Sequence, residues 1–352
     1  MTPAHTAHDN TPASPATMAK ANPPSRSANP LERLAEALKP DMAAVNALII
    51  DRMQSNIPLI PQLAGHLIAG GGKRIRPLLT LASAALFDYK GSRQHKLAAC
   101  VEFIHTATLL HDDVVDESDQ RRGKASANAV FGNEAAVLVG DFLFSRSFQL
   151  MVEDGSLEVL RILSNASAVI AEGEVLQLST TNNIDTTEAD YLKVIGAKTA
   201  ELFAAACEVG GIVADRPAGE CAALRDYGMY LGYGFQISDD VLDYAASEER
   251  LGKSLGDDFK EGKMTLPVLK ALAKASPAEK DFWQRTMCDL DQKDGDLAEA
   301  QALIRKHKGL DLALAQARDF AAKGRKCLEA LPGNGIRQDL AELIDFAVER
   351  DY

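Results

Sequence analysis

Residues 96–116 read KLAACVEFIHTATLLHDDVVD, and this stretch decides the fold class. It contains no glycine or proline, and its apolar residues recur at spacings of three and four around most of a helix circumference. The pattern therefore predicts a long helix that is buried on most sides. At its carboxyl end the stretch carries three carboxylates in an Asp-Asp-x-x-Asp pattern: Asp112, Asp113 and Asp116.

A second Asp-Asp-x-x-Asp pattern occurs later in the chain, in GFQISDDVLDYAA, and comprises Asp239, Asp240 and Asp243. Residues four apart on a helix lie about 40° apart around its axis, so the first and last carboxylates of each pattern share a face. Such a face is unfavourable unless cations neutralise it, and Mg²⁺ prefers oxygen ligands, often a few carboxylates plus substrate phosphates. One pattern alone is equally consistent with a solvated helix end. Two patterns in apolar surroundings favour a magnesium–diphosphate site with two acidic walls.

Length and composition limit the classes of function. The chain has 352 residues, 46% of them hydrophobic, and a formal net charge of −12, which argues against a nucleic-acid partner because phosphate backbones call for a basic surface. Its five cysteines are scattered and lack CxxC spacing, as is typical of reduced residues in a cytoplasmic protein. No run approaches the roughly 18 apolar residues that would span a membrane, so we expect a soluble, cytoplasmic protein without a transmembrane segment.

The chain divides into a tail and one domain. Residues 1–30 are rich in Pro, Ala, Ser and Thr and predict a disordered, non-catalytic N-terminal tail, within which Met18 is a second possible start. Residues 31–352 have helical periodicity almost throughout, interrupted at Gly-, Pro- and Asp-rich turns and without an alternating strand series. They predict a single all-α domain.

Basic residues accompany the acidic patterns. In GGGKRIRP, Lys73, Arg74 and Arg76 follow a glycine turn and lead into a helix that we expect to begin near Pro77. Glycines allow close backbone approach, a helix start favours anions, and arginine can bind phosphate oxygens bidentately. The pattern of a nucleotide-binding P-loop fails here, because arginine follows Lys73 where that pattern needs Ser or Thr. The remaining candidates, each by itself more often a surface charge, are Arg121, Arg122, Lys198 with Thr199, Lys253 and Lys263.

Seven segments, in their order and spacing, resemble the trans-type polyprenyl diphosphate synthases, most closely the bacterial octaprenyl type. The resemblance extends over essentially all of residues 31–352. It implies an all-α bundle of about ten core helices around a deep central cavity, and a homodimer. The segments are GGGKRIRP, FIHTATLLHDDVVDESDQRRGKASAN, GDFLFSRSFQ, GEVLQL, AKTAELF, GFQISDDVLDY and GKSLGDDFKEGKMTLPVL.

The resemblance also implies a role for each candidate residue. Asp112, Asp116 and Asp239 would bind Mg²⁺, on the order of two or three ions per active site, and these ions would chelate the diphosphate of an allylic substrate such as farnesyl diphosphate. The catalytic carboxylates would be completed by Asp113, Asp240 and Asp243. The allylic diphosphate would be contacted by Arg121, Lys198, Thr199 and Gln236, with assistance from Lys253 and Lys263. Isopentenyl diphosphate would be held by Lys73, Arg76, His105 and Arg122.

The implied reaction is a Mg²⁺-dependent head-to-tail condensation, in which the allylic diphosphate ionises, isopentenyl diphosphate attacks the carbocation and a proton is lost. The departing diphosphate is the expected base, so His105 needs no such role. The small pair Ala107 and Thr108 lies one helical turn before Asp112, where a bulky aromatic would stop chain growth early, and Phe103 lies further along the helix. We therefore expect an octaprenyl product, with nonaprenyl, decaprenyl and shorter chains left open. Candidates for the floor of the cavity are Phe144, Phe148 and Met151.

Three other classes of protein remain as alternatives. A terpene cyclase shares the first acidic pattern but usually carries an Asn/Ser/Glu-type second pattern, whereas DDVLD stands here. A non-catalytic subunit of a heteromeric synthase would typically lack pattern aspartates, and both patterns are intact here. An HD-type metal hydrolase would need a further spaced His and Asp besides His111 and Asp112, and no such set stands out. For a long-chain synthase, the product would supply a quinone side chain and partition into the membrane.

Overall fold

The computed structural model of the chain describes residues 28–69, 72–121, 123–245 and 255–349. Within these ranges the chain is almost entirely helical, and the all-α prediction is confirmed. The strands found there form one short antiparallel hairpin of β1 (Gln120–Arg121) and β2 (Lys124–Ala125). Two predicted site residues, Arg122 and Lys253, lie outside the described residues, as do residues 1–27 of the predicted tail.

Five helices form the amino-terminal part, and local sequence signals explain where they begin. The Asn29 side chain accepts a hydrogen bond from the backbone N–H of Glu32, whose carboxylate accepts one from the backbone N–H of Asn29; Pro30 occupies the first turn. The fourth helix begins at Ile75, two residues before Pro77, and directly follows Arg74, which has a φ of 46°. The helices are α1 (Pro30–Ala37), α2 (Lys39–Arg52), α3 (Leu59–Ala69), α4 (Ile75–Ala85) and α5 (Arg93–Val115).

The middle of the chain contains the longest helices. One long helix ends at Asp154, because Gly155 follows it with a φ of 78°. The next helix starts at Leu157 and is capped by the Ser156 side chain, which accepts a hydrogen bond from the backbone N–H of Val159. A π-helical turn, Gly196–Ala200, interrupts the helical path between two helices. The helices are α6 (Ala127–Phe131), α7 (Asn133–Asp154), α8 (Leu157–Thr180), α9 (Glu188–Ile195), α10 (Glu201–Val213) and α11 (Ala218–Ala245).

Shorter helices dominate the carboxyl-terminal part. A second π-helical turn, Gln284–Cys288, follows a helix that starts with a capping box between Ser276 and Glu279. The helices are α12 (Asp257–Lys260), α13 (Leu266–Leu272), α14 (Pro277–Trp283), α15 (Asp296–Lys306), α16 (Gly309–Leu328) and α17 (Gly335–Val348).

Helices α5 and α11, which carry the acidic patterns, lie in the centre of the fold. Helix α5 packs against α4 and α7, and α11 packs against α10 and α16. Among the largest fully buried side chains are Phe103 on α5, Phe203 on α10, and Tyr227 and Tyr244 on α11. Because α10 contacts α4, α5 and α11 alike, it joins the two acidic helices into one core.

Helix α7 corrects one expectation drawn from the sequence. By length and composition it is apolar enough to cross a membrane, and it is the one such helix in the described ranges, whereas no stretch of this kind was expected. The helix packs along α5 and buries Val139, Leu143 and Leu150. Core helices of globular bundles meet the same criterion, so length and composition alone do not make α7 a membrane span.

Candidate active site

The carboxyl end of α5 presents two carboxylates, each facing a lysine from another part of the chain. Oδ2 of Asp112 lies 3.5 Å from Nζ of Lys198, which is on the π-helical turn after α9. Oδ2 of Asp116 lies 3.3 Å from Nζ of Lys263, which precedes α13. All four side chains are largely buried, so the acidic face predicted from the sequence exists and is matched by two cations.

Asp113, between these two carboxylates in sequence, has different contacts. Its side chain is buried and accepts hydrogen bonds from Arg121, whose Nε and Nη2 lie 2.8 and 2.6 Å from Oδ1. Adjacent helical residues point about 100° apart, which separates Asp113 from the face shared by Asp112 and Asp116. The pair fixes the guanidinium of Arg121 at the turn of the β1–β2 hairpin, so Asp113 serves to hold Arg121 in place.

Lys198 also pairs with Glu174 of α8, a residue that sequence reasoning did not assign. Oε2 of Glu174 lies 2.6 Å from Nζ of Lys198. Burial and the nearby Asp112 raise the pKa of Glu174 to about 7. Burial opposes the charge of Lys198, but Asp112 and Glu174 nevertheless raise its pKa. The signal for Glu174 was the GEVLQL segment, where one acidic residue stands among apolar neighbours.

The carboxylates of the second acidic pattern also differ from one another in their contacts. Asp240 is buried and accepts hydrogen bonds from Tyr191 Oη at 2.6 Å and from Gln236 Nε2 at 2.8 Å. Burial raises the pKa of Asp240 to about 7. Gln236 in turn accepts, through Oε1, from the hydroxyl of Thr199 at 2.9 Å. The structure therefore brings Thr199 and Gln236 together, as expected, with Asp240 behind them.

Asp243 and Asp239 differ in what they contact. The carboxylate of Asp243 accepts from the backbone N–H groups of Asp257 and Asp258, at 3.3 and 3.1 Å, and so caps the start of α12. Asp239 is half-buried on α11, one turn before Asp243. Besides Asp116, Lys263 also pairs with Glu261. Burial opposes the charge of Lys263, but Asp116 and Glu261 nevertheless raise its pKa.

Two of the residues expected to hold isopentenyl diphosphate meet at the start of α4. Nη1 of Arg76 lies 3.1 Å from Nε2 of His105, and its guanidinium stacks 4.3 Å from the centroid of the Phe203 ring. Lys73 is exposed just before the helix. Arg74 pairs with Glu102 at 3.1 Å, an ion pair that the sequence did not predict.

A cleft that is partly open to solvent lies between α2, α3, α5 and the β1–β2 hairpin. Its lining combines apolar side chains such as Phe103 and Leu109 with the cations Arg74, Arg121 and Lys124. The proposed chain-length residue Ala107 is fully buried, and Thr108 donates to the carbonyl of His105 at 2.8 Å. Of the candidate floor residues, Met151 is buried, whereas Phe144 is half-buried and packs edge-on against Phe148, which is 38% exposed.

The carboxylates suit a divalent cation that is shared with a ligand. Among the described residues, no cluster of three or more Asp, Glu, His or Cys side chains converges as a complete metal site. Asp112 and Asp116 stand on one wall and Asp239 on another helix, so each wall offers fewer ligands than a hard cation takes. An all-oxygen donor set of this size fits Mg²⁺, which is usually bound through one or two carboxylates plus substrate phosphates.

Known proteins match this chain over most of its length. A family model described as Polyprenyl synthetase matches residues 57–304. Octaprenyl diphosphate synthase of Escherichia coli strain K12 is 47% identical over 323 residues, which cover 91% of this chain and 99% of that protein. The crystal structure of a decaprenyl diphosphate synthase from Rhodobacter capsulatus has a TM-score of 0.88 at 55% identity, covering 91% of this chain and 98% of that one. Polyprenyl synthase from Caulobacter crescentus CB15, complexed with calcium and isoprenyl diphosphate, has a TM-score of 0.89 at 52% identity, covering 93% and 99%.

Proposed function

This chain belongs to the polyprenyl synthetase family and is a prenyltransferase, and on that premise we propose that it is a long-chain trans-polyprenyl diphosphate synthase. It would add isopentenyl diphosphate units head to tail to an allylic diphosphate such as farnesyl diphosphate. The observation that carries this proposal is the pairing of Asp112 with Lys198 and of Asp116 with Lys263. A metal–diphosphate complex carries both charges, so it would replace these direct contacts: the carboxylates would hold the cation and the lysines the diphosphate oxygens.

Asp112, Asp116 and Asp239 are the residues that would hold Mg²⁺. When bound, the metal neutralises the diphosphate and makes it a good leaving group. The relative from Caulobacter crescentus was crystallised with calcium and isoprenyl diphosphate, which supports a divalent cation beside a diphosphate in this family.

The cationic side chains of the protein would neutralise the negative charge of the diphosphate that the metal leaves uncompensated. Lys198 and Lys263 each pair with a carboxylate of the acidic face of α5, and Arg121 is held beside the same helix end by its pair with Asp113. These groups stabilise the negative charge that grows on the departing diphosphate as the C–O bond breaks. Arg76 and His105 would hold the diphosphate of isopentenyl diphosphate. The departing diphosphate itself removes the proton at the end of the cycle, so no side chain is needed as a base.

Octaprenyl diphosphate is the product we propose. In this proposal a bulky side chain one turn from the acidic face would obstruct the growing chain, and the residues at that level of α5, Ala107 and Thr108, are small, with Phe103 further along the helix. Similar relatives carry octaprenyl and decaprenyl names, so both lengths are consistent with the family position. A product of this size is strongly apolar, and we expect a cytoplasmic enzyme whose product enters the membrane and supplies a quinone side chain.

We also propose a homodimer formed through α7 and α8. These consecutive helices expose a set of apolar side chains that a single chain does not cover, each between 65% and 82% exposed. Exposed apolar patches of this kind mark interaction sites, and a two-fold axis lets one such face cover its own copy. The set is Leu138, Val152, Leu157, Val175 and Leu178.

The proposed activity is tested by product analysis. Purified protein is incubated with Mg²⁺, farnesyl diphosphate and labelled isopentenyl diphosphate, and the dephosphorylated products are sized by chromatography, with EDTA as the metal-free control. A single product of eight isoprene units, formed only with the metal, is the expected result. Products of nine or ten units would correct the length alone, whereas a folded protein that forms no product would favour a non-catalytic subunit.

A further inference from the structure

Three hydrogen bonds in series connect Tyr191 on α9 to Thr199 on the following π-helical turn. The Tyr191 hydroxyl donates to Oδ2 of Asp240 at 2.6 Å, and Gln236 Nε2 donates to Oδ1 of the same carboxylate at 2.8 Å. The hydroxyl of Thr199 donates to Gln236 Oε1 at 2.9 Å. Of these four residues, Thr199 and Gln236 are the ones expected at the allylic diphosphate, while no role has been assigned to Tyr191.

The direction of these bonds fixes the orientation of the Gln236 amide. Both oxygens of Asp240 accept here, so the nitrogen of the amide faces Asp240 and its oxygen faces the hydroxyl of Thr199. The amide nitrogen carries two N–H groups, and Asp240 takes one of them. In the proposed complex, the second N–H would be the one that donates to the diphosphate.

Tyr191 is needed to keep Asp240 in this role. Tyr191 and Asp240 are both about 5% exposed, so neither can exchange its partner for bulk water. A buried carboxylate requires donors, and Tyr191 supplies one of the two that Asp240 has from side chains. Removing the hydroxyl leaves Gln236 as the other donor and weakens the constraint on the orientation of its amide.

The backbone gives the same residues a second connection. Thr199 lies on the π-helical turn Gly196–Ala200, which directly follows α9, and Tyr191 lies on α9 itself. The segment is therefore held to α11 at two places: Tyr191 through Asp240, and Thr199 through Gln236. Short π-helical turns occur frequently at functional sites, where they displace side chains from the regular helical path.

We infer that Tyr191 is a positioning residue for the allylic diphosphate, acting through Asp240 on Gln236 and Thr199. The inference rests on the proposed function. It predicts that loss of the Tyr191 hydroxyl weakens binding of the allylic substrate but not binding of isopentenyl diphosphate. The reason is that Arg76 and His105, which are expected to hold isopentenyl diphosphate, lie outside this series of bonds.

The test compares Tyr191→Phe with Tyr227→Phe as a matched control. Tyr227 is also a fully buried tyrosine, but its hydroxyl donates to the backbone carbonyl of Leu340 at 2.7 Å, away from the acidic helices' carboxylates. For Tyr191→Phe we expect KM for farnesyl diphosphate to rise on the order of tenfold, with KM for isopentenyl diphosphate unchanged. The control should lose similar thermal stability with neither KM changed. An equal change in both KM values, or none beyond the control, would overturn the inference.

Two further measurements separate this inference from the proposed function. Binding of farnesyl thiodiphosphate, a slowly ionising analogue, is measured by calorimetry with Mg²⁺, and Tyr191→Phe should weaken it by the same factor. Wild-type protein that binds the analogue without elongating any substrate would overturn the proposed function alone. In an Asp240→Asn background, Tyr191→Phe should add little, since both changes act on one series of bonds; additive effects would contradict action through Asp240.

Discussion

Gly173 of α8 allows a close approach of the π-helical turn that carries Lys198, and Gly173→Ala tests whether that approach matters. A Cβ at this position would lie 2.7 Å from the Cβ of Ala197 and 2.9 Å from the backbone N of Lys198. Non-bonded carbon atoms are normally about 3.5–4.0 Å apart, so the turn would have to retreat by about 1 Å. Such a shift moves the ammonium group of Lys198 relative to Asp112 and Glu174.

The effects on stability and on activity should differ. Overpacking of this kind costs about 1–3 kcal/mol, and replacing a mid-helix glycine with alanine returns about 1 kcal/mol, so the net loss of stability is about 0–2 kcal/mol. A misplacement of about 1 Å in a group that contacts the reacting diphosphate can lower the rate about a hundredfold. We therefore expect a protein that is nearly as stable as the wild type but much less active.

The assay measures kcat/KM for farnesyl diphosphate at saturating isopentenyl diphosphate, together with the thermal midpoint. Gly219→Ala is the matched control, because it also lies in a helix and a Cβ there meets no atom within 4 Å. The control should retain full activity. If Gly173→Ala kept its kcat/KM within about threefold of wild type, at an unchanged midpoint, the position of Lys198 would not depend on this contact and the reasoning would be refuted.

Three further predictions concern product length, assembly and acid stability. Ala107→Tyr should shorten the product to roughly three or four isoprene units by blocking the path one helical turn beyond the acidic face, and unchanged product length on chromatography would contradict this. Val175→Glu should convert the dimer to a monomer in light scattering, since it places a charge in the exposed apolar face of α8; Glu158→Gln, at an exposed polar position of the same helix, is its control. Asp296 pairs with Arg285, and chiefly the hydrogen bonds of this pair lower the pKa of Asp296 to about 2. The pair therefore stabilises the fold fully above the unfolded-state pKa of Asp296, about 3.9, and this stabilisation is lost as the pH falls through about 2. Asp296→Asn should remove this part of the pH dependence in acid unfolding monitored by circular dichroism, and an identical profile for both proteins would rule it out.

Helical periodicity was sufficient to predict the fold class, and the four-residue spacing was sufficient to place Asp112 and Asp116 on one face. The roles of the other pattern carboxylates depended on partners outside the patterns. Asp113 meets Arg121 through a hairpin, and Asp240 meets Tyr191 through a neighbouring helix, so the spacing within each pattern could not separate them from the carboxylates that face the lysines.

Glu174 and the π-helical turn illustrate a second limit of sequence reasoning. Which charged side chain pairs with Lys198 depends on how closely α8 approaches the turn, and that distance is set by Gly173. A regular helix was the natural expectation for AKTAELF, because its apolar spacing is helical and no breaker residue marks the π-helical turn.

The most direct measurement is the affinity of farnesyl thiodiphosphate for the wild-type protein, determined by calorimetry with Mg²⁺ and again with EDTA. A diphosphate held through a divalent cation between α5 and α11 predicts binding that requires the metal and that weakens about tenfold or more in Asp112→Asn and in Asp239→Asn. Equal affinity with and without the metal, or full affinity in both variants, would contradict a site with two acidic walls.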